Sequence, residues 1–171
     1  VQLPIANPFN PSELNPTEAF SSGLSTSSGR GASGSVGKIT VTTGEFRVAD
    51  GAVVDSTTFN EGNGGDITIN ANNFKATGGG QIITTTGGSG NAGNINLNIK
   101  DKISLSGSDP NFDKRIEIAK RFGAPEDIVT NQGATSGIFA NTTSASTGNS
   151  GSISIGVFQK QGDNLVIDPS K

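Results

Sequence analysis

Apolar residues in this chain come in short alternating bursts, and the bursts recur at a fixed interval. Each follows a glycine, as in "GKITV", "GDITI", "GNINL" and "GSISI". Gly37, Gly65 and Gly93 stand 28 residues apart, and Gly151 lies 58 further on, one more step plus an insertion of 30. Ile39, Ile67, Ile95 and Ile153 share one column; Val41, Ile69, Leu97 and Ile155 share the column two residues later. Alternate residues of a strand lie on one face, so both columns are expected to point inward together. A second strand is predicted in each unit from Phe46 and Val48, from Phe74 and Ala76 and, after one extra residue, from Ile103 and Leu105. Gly51, Gly79 and Gly137 then open a third short segment, "AVVDST", "GQIITT" and "IFANTT", and the unit closes on "GNGG", "GNAG" or "GNSG".

Three short strands per unit fit either an antiparallel sandwich or a parallel β-helix. Strands of a sandwich have no reason to recur at a fixed period, whereas each column of a solenoid must stack on its copy one coil below. The period therefore predicts an all-β fold, a parallel β-helix (solenoid) with coils of about 28 residues and one helical insertion. One coil cannot bury its own apolar face, so neighbours must supply the core. The Ile39, Ile67, Ile95, Ile153 column and the turn column Asn63, Asn91, Asn149 are read as a structural ladder. In that ladder each asparagine hydrogen-bonds turn backbone and its copies above and below.

Composition narrows the chemistry. With 31% hydrophobic residues and 25 glycines the chain would read as disordered, and the aligned columns overrule that. It has no Cys, His, Met, Trp or Tyr, which excludes thiolate and imidazole metal sites, a Ser-His-Asp triad and a cysteine nucleophile. No cofactor or metal is expected. Net charge is −3, and the basic residues are scattered apart from a group between Lys114 and Arg121. Nucleic-acid binding needs a basic stripe that displaces counterions, so nucleic acid is not an expected partner. No apolar run reaches the roughly 18 residues of a membrane-spanning helix, so no transmembrane segment is expected.

The chain divides into a proline-rich, extended lead-in loop at 1–22, coils at 23–107, the helical insertion at 108–136, and a final coil with a C-terminal strand at 137–171. The stretch "SGLSTSSGRGASGSVG" matches "SGIFANTTSASTGNSG" in length and in its opening Ser-Gly-apolar triplet. The lead-in thus stands where the insertion stands later, and the chain is expected to be a slice of a larger array. In the insertion, Asp109 is a helix cap and Pro110 a first helical residue. Phe112, Ile116, Ala119 and Phe122 form one stripe, opposite Lys114, Glu117, Lys120 and Arg121. That stripe is expected against the coil wall, with "APEDIV" starting a second short turn.

Solenoids of this kind host polysaccharide lyases and hydrolases, whose sites need carboxylates converging from adjacent coils. Asp50, Asp55, Glu61 and Asp66 align one coil later with Gly78, Ile83, Ser89 and Asn94, so an enzyme is not expected. "GNGGDITI" resembles part of a calcium-binding nonapeptide, but Asp66 aligns with Lys38, Asn94 and Ser152 and the ligand does not repeat. Ser56, Thr57 and Thr58 align with Thr84, Thr85 and Thr86 and with Thr142, Thr143 and Ser144. Thr57, Thr58, Thr85, Thr86, Thr142 and Thr143 are thus the candidate binding face, a hydroxyl strip for sugars. The plainer account is that threonine suits an exposed strand position.

The stretch "GNGGDITINANNFKATGGGQIITTTGGSGNAGNINLNIKDKISLSG", followed by "SGIFANTTSASTGNSGSISI", resembles the repeat region of filamentous-haemagglutinin-like exoproteins, abundant in cyanobacteria and exported by two-partner secretion. The resemblance covers about residues 22–158. It implies that the β-helix is right-handed, that the protein is secreted or on the outer cell surface, and that it serves adhesion or the extracellular matrix. The family's secretion domain has asparagine-proline motifs that "IANPFNPSELNP" does not match, so the chain is expected to be passenger. No catalytic residue carries over. The expected function is an adhesin-like structural rod mediating surface or matrix attachment. The alternatives are a carbohydrate-binding or polysaccharide-cleaving protein and a structural layer or filament subunit. Expected partners are extracellular polysaccharide or cell-surface glycans, and other copies through end-to-end or edge self-association.

Overall fold

The computed structural model describes residues 22–121, 132–161 and 164–168. The lead-in to residue 21, Phe122 and "APEDIV" lie outside the described residues. Strands β1 (Gly23–Ser28), β3 (Val53–Thr58), β5 (Gln81–Thr86) and β7 (Gly137–Thr142) form one sheet in that order. Strands β2 (Ile39–Ala49), β4 (Ile67–Thr77), β6 (Ile95–Ser106), β8 (Ile153–Gln161) and β9 (Asn164–Asp168) form the other. Among the described residues the fold is thus all-β, two parallel sheets of four strands, with β9 added antiparallel to β8 and one short helix, α1 (Phe112–Arg121).

The chain crosses to the other sheet at every step, so each strand pairs with its copy one repeat on. Ile39 pairs with Ile67, Ile67 with Ile95, and Ile95 with Ile153. The inward columns meet in one core, in which Ile67, Ile69, Ile82, Ile95 and Leu97 are fully buried and Phe74 nearly so. The Phe46 and Phe74 rings stack with centroids 6.2 Å apart.

Two expectations are corrected here. Each unit has two strands, not three, because the first two expected strands are one 11-residue strand in β2 and in β4. In β4, Ile67, Ile69 and Ala71 are buried, Asn72 and Asn73 are both exposed, and Phe74 and Ala76 are buried again. The inward parity switches at that pair while the ladder continues on either side, so the break in alternation marks a corner and not a turn. In β6 the same corner holds one more residue. Ala71 pairs with Ile99 but Asn73 with Lys102, a bulge that bends the strand.

The second correction concerns the last repeat. Gly137 pairs with Gln81, not with Gly79, so Thr84, Thr85 and Thr86 lie against Ala140, Asn141 and Thr142. Gln81 to Gly137 is an offset of 56, whereas Ile95 to Ile153 is 58. The extra length is therefore divided, most of it between β6 and β7 and two residues in the loop after β7. Alignment on the glycine alone placed all of it before β7.

The insertion is anchored at both ends. Asp109 is 4% exposed; its carboxylate accepts the Asn111 N–H (2.9 Å) and pairs with Arg115 (2.7 Å), which also donates to the carbonyl of Asp50 (3.0 Å). At the other end Gln81, fully buried, donates to the carbonyls of Gly133 and Thr135 and accepts the Gln132 N–H. Phe112 and Ile116 are half-buried, as the apolar stripe requires.

Candidate functional site

Where the chain leaves one sheet for the other, the "GNxG" turns stack directly on one another. A side chain on Gly65 would collide with the Gly37 carbonyl, and one on Gly93 with that of Gly65. The turns pack backbone to backbone, leaving the flanking asparagines to line the outside.

Two rows of polar side chains result. In the first, Asn63 Oδ1 accepts the backbone N–H of Asn91 (3.0 Å), and Asn91 Oδ1 accepts that of Asn149 (3.0 Å) and its Nδ2 (3.2 Å). In the second, Asp66 Oδ1 accepts the Asn94 N–H (2.9 Å), and Asn94 Oδ1 accepts the N–H (2.9 Å) and hydroxyl (2.8 Å) of Ser152. Lys38 ends this row on Asp66 (3.1 Å). The Asn94 amide, with the Lys38 charge and hydrogen bond beside it, holds the Asp66 carboxyl below its ordinary value despite some desolvation.

Between the rows runs an open groove of about 400 Å³, floored by Gly64, Gly65, Ala92 and Gly93 and walled by Asn63, Asn91, Asp66 and Asn94. Among the described residues, nothing engages the Nδ2 groups of Asn63 and Asn91. Both asparagines are exposed. The groove therefore offers carboxamide donors on one side and carboxylate or carboxamide acceptors on the other. They recur at the spacing of stacked strands, about 4.7–4.9 Å.

The hydroxyl strip lies elsewhere. Thr58 and Thr86 are fully buried and point into the core side of their sheet, and Thr57 and Thr85, on its other face, are 4% and 8% exposed. Thr58 donates to Asn60 Oδ1 (2.8 Å) and lies 2.9 Å from the Ser28 hydroxyl; Thr86 donates to the Gly90 carbonyl (2.6 Å). These hydroxyls tie the turns to the strands. Only Thr142 is exposed, with Thr143 half-buried, at the open end of the stack. Threonine next to "GNGG" was read as surface because a polar residue at period two is usually outward. The parity of Val54 and Ile82, both in the core, places Thr58 and Thr86 inward instead.

Residues missed from the sequence are Asp109 with Arg115, Gln81 and Asp55. Asp55 is 4% exposed; burial raises its carboxyl above the ordinary value, against hydrogen bonds from Ser25 and Thr57. One signal was available for Gln81, a lone carboxamide beside two isoleucines. Among the described residues, no group of three or more Asp or Glu is placed to hold a metal ion.

No family model matches the chain, and no curated protein or solved structure matches it significantly.

Proposed function

We propose that the chain is a segment of a secreted or cell-surface adhesin-like exoprotein, folded as a right-handed parallel β-helix. It acts as a rod that attaches to a surface or matrix through glycans. The observation that supports this reading most is the turn groove. Its polar groups repeat once per stacked unit, and two of its carboxamide donors have no partner among the described residues. A neutral polysaccharide is a linear array of hydroxyls and ring oxygens, and it matches an uncharged, periodic wall better than a charged polymer does. Export by two-partner secretion belongs to the same proposal.

The test is a polysaccharide panel on the purified chain, with bound protein and newly released reducing or unsaturated ends recorded in the same wells. The expected result is binding without release, lost in an Asn63→Ala/Asn91→Ala double variant that keeps its circular dichroism. Release of ends would replace attachment with cleavage, and absence of binding to every glycan would leave only a structural rod.

A further inference from the structure

The two ends of the stack differ. Ile153 and Ile155 continue the columns in which Ile67, Ile69, Ile95 and Leu97 are fully buried, yet they are 42% and 60% exposed. Beside them β7 has β5 on one side and no partner on the other among the described residues. Gly137 and Thr143 donate toward β5, to the carbonyls of Gly80 and Thr86. By the alternation of a parallel ladder, the N–H and C=O groups of Ile138, Ala140 and Thr142 face the open side.

This end also lacks the devices that keep sheet edges apart. Exposed edges in single-copy proteins are guarded by charge or proline. From Gln132 to Gln159 the sequence has neither a charged residue nor a proline. The opposite end is unlike it: Ile39 and Val48 are 6% and 3% exposed, and Lys38, Glu45 and Arg47 stand exposed around them. A head-to-tail contact would set those charges against an uncharged apolar surface. The surface that complements the open end, among the described residues, is the same end of another copy.

We propose that two copies of this chain associate tail to tail about a two-fold axis. The β7 strands pair antiparallel across the axis, and Ile153 and Ile155 of each copy are covered by the other. The contact is isologous, so it closes at two copies and does not grow into a filament. The inference is independent of glycan attachment, since it uses neither the groove nor its asparagines.

The experiment is mass determination by light scattering on the eluting 171-residue chain over a dilution series. Wild type is expected at twice 17.3 kDa. Ile155→Lys places like charges at a surface that pairs with itself, and Thr142→Pro removes an N–H from the open edge without touching the β5 ladder. Each is expected to weaken dimerisation by about tenfold or more, with unchanged circular dichroism. Arg47→Glu, at the other end, is expected to leave the dimer intact. A wild-type chain of single mass at every concentration overturns the proposal. A series of ever larger species would show head-to-tail growth instead, and a dimer that survives both edge variants would place the contact elsewhere.

Discussion

The glycine columns yield a prediction with a built-in control. The missing β-carbons of Gly65, Gly93 and Gly151 fall on the carbonyls of Gly37, Gly65 and Gly93, and those of Gly62, Gly90 and Gly148 on the carbonyls of Gly34, Gly62 and Gly90. Gly37, in the first repeat, has open space at that point. Neither Gly37 nor Gly93 has positive φ, so alanine suits the backbone at both and the difference between them is steric. Replacing glycine by alanine where the backbone accepts it stabilises by about 0.4–1 kcal/mol through the unfolded chain. Overfilling a packed site costs about 1–3 kcal/mol, and here the obstacle is backbone that moves only if the repeats separate. Gly37→Ala is therefore expected to be slightly stabilising, whereas Gly93→Ala is destabilising by up to about 2 kcal/mol. For a domain of this size each kcal/mol shifts Tm by about 2–4 °C. Thermal unfolding followed by far-UV circular dichroism should place Gly93→Ala several degrees below Gly37→Ala. If Gly93→Ala melts with Gly37→Ala or above it, the turns do not stack backbone to backbone.

Three further outcomes follow from individual residues. Folded Asp55 holds its proton more tightly than the unfolded chain does, so its contribution is full below the ordinary aspartate value and lost as pH rises through the folded one. Asp55→Asn should thus raise stability at neutral pH and flatten its loss between mildly acidic and neutral pH; a variant that tracks wild type across that range would contradict the burial argument. Asp109 is the opposite case: burial raises its carboxyl, but the Arg115 and Asn111 hydrogen bonds and the Arg115 charge outweigh this and lower it. Its contribution is present above the ordinary value and lost as pH falls through the folded one. Arg115→Met leaves that carboxylate buried without its cation and should cost about 1.5–3 kcal/mol in urea unfolding, most of it recovered in Arg115→Met/Asp109→Asn. Phe74→Ala removes a core ring stacked on Phe46 and should cost about 3–5 kcal/mol, read as a lower urea midpoint with β-structure retained in buffer.

What could be read from the sequence was whatever repeats. The inward isoleucine columns are set by a one-dimensional stack in which position *i* meets position *i* plus one period, so the pairings of Ile39, Ile67 and Ile95 followed from counting. Counting failed where the period is broken. Nothing in "GIFANTT" distinguishes a threonine beside Thr84 from one beside Thr86, and only the β5–β7 ladder decides it. Alternation failed at the Asn72–Asn73 corner, where two consecutive outward residues look like a turn but sit within one strand. The site was half legible. The asparagine column was visible as a turn signature, whereas the groove needed the second row from Asp66, Asn94 and Ser152, three different residue types whose relation appears only when the turns stack. Asp109 was read as a helix cap, which it is at Asn111, while its pairing with Arg115 spans two elements and left no trace in spacing.

Both rows, the groove and the open end depend on in-register parallel stacking that survives the insertion. Because the chain has no cysteine, a single engineered pair reports that register without interference. Asn96 pairs with Ser154, both at outward positions. Parallel neighbours lie within the Cα separation of about 4.4–6.8 Å that a disulfide spans. The account predicts that Asn96→Cys/Ser154→Cys closes a disulfide under mild oxidation in the native protein, while Asn96→Cys/Ser152→Cys, two residues out of register, stays reduced. Rapid closure of the second pair with the first left open would contradict the register and, with it, the stacked groove.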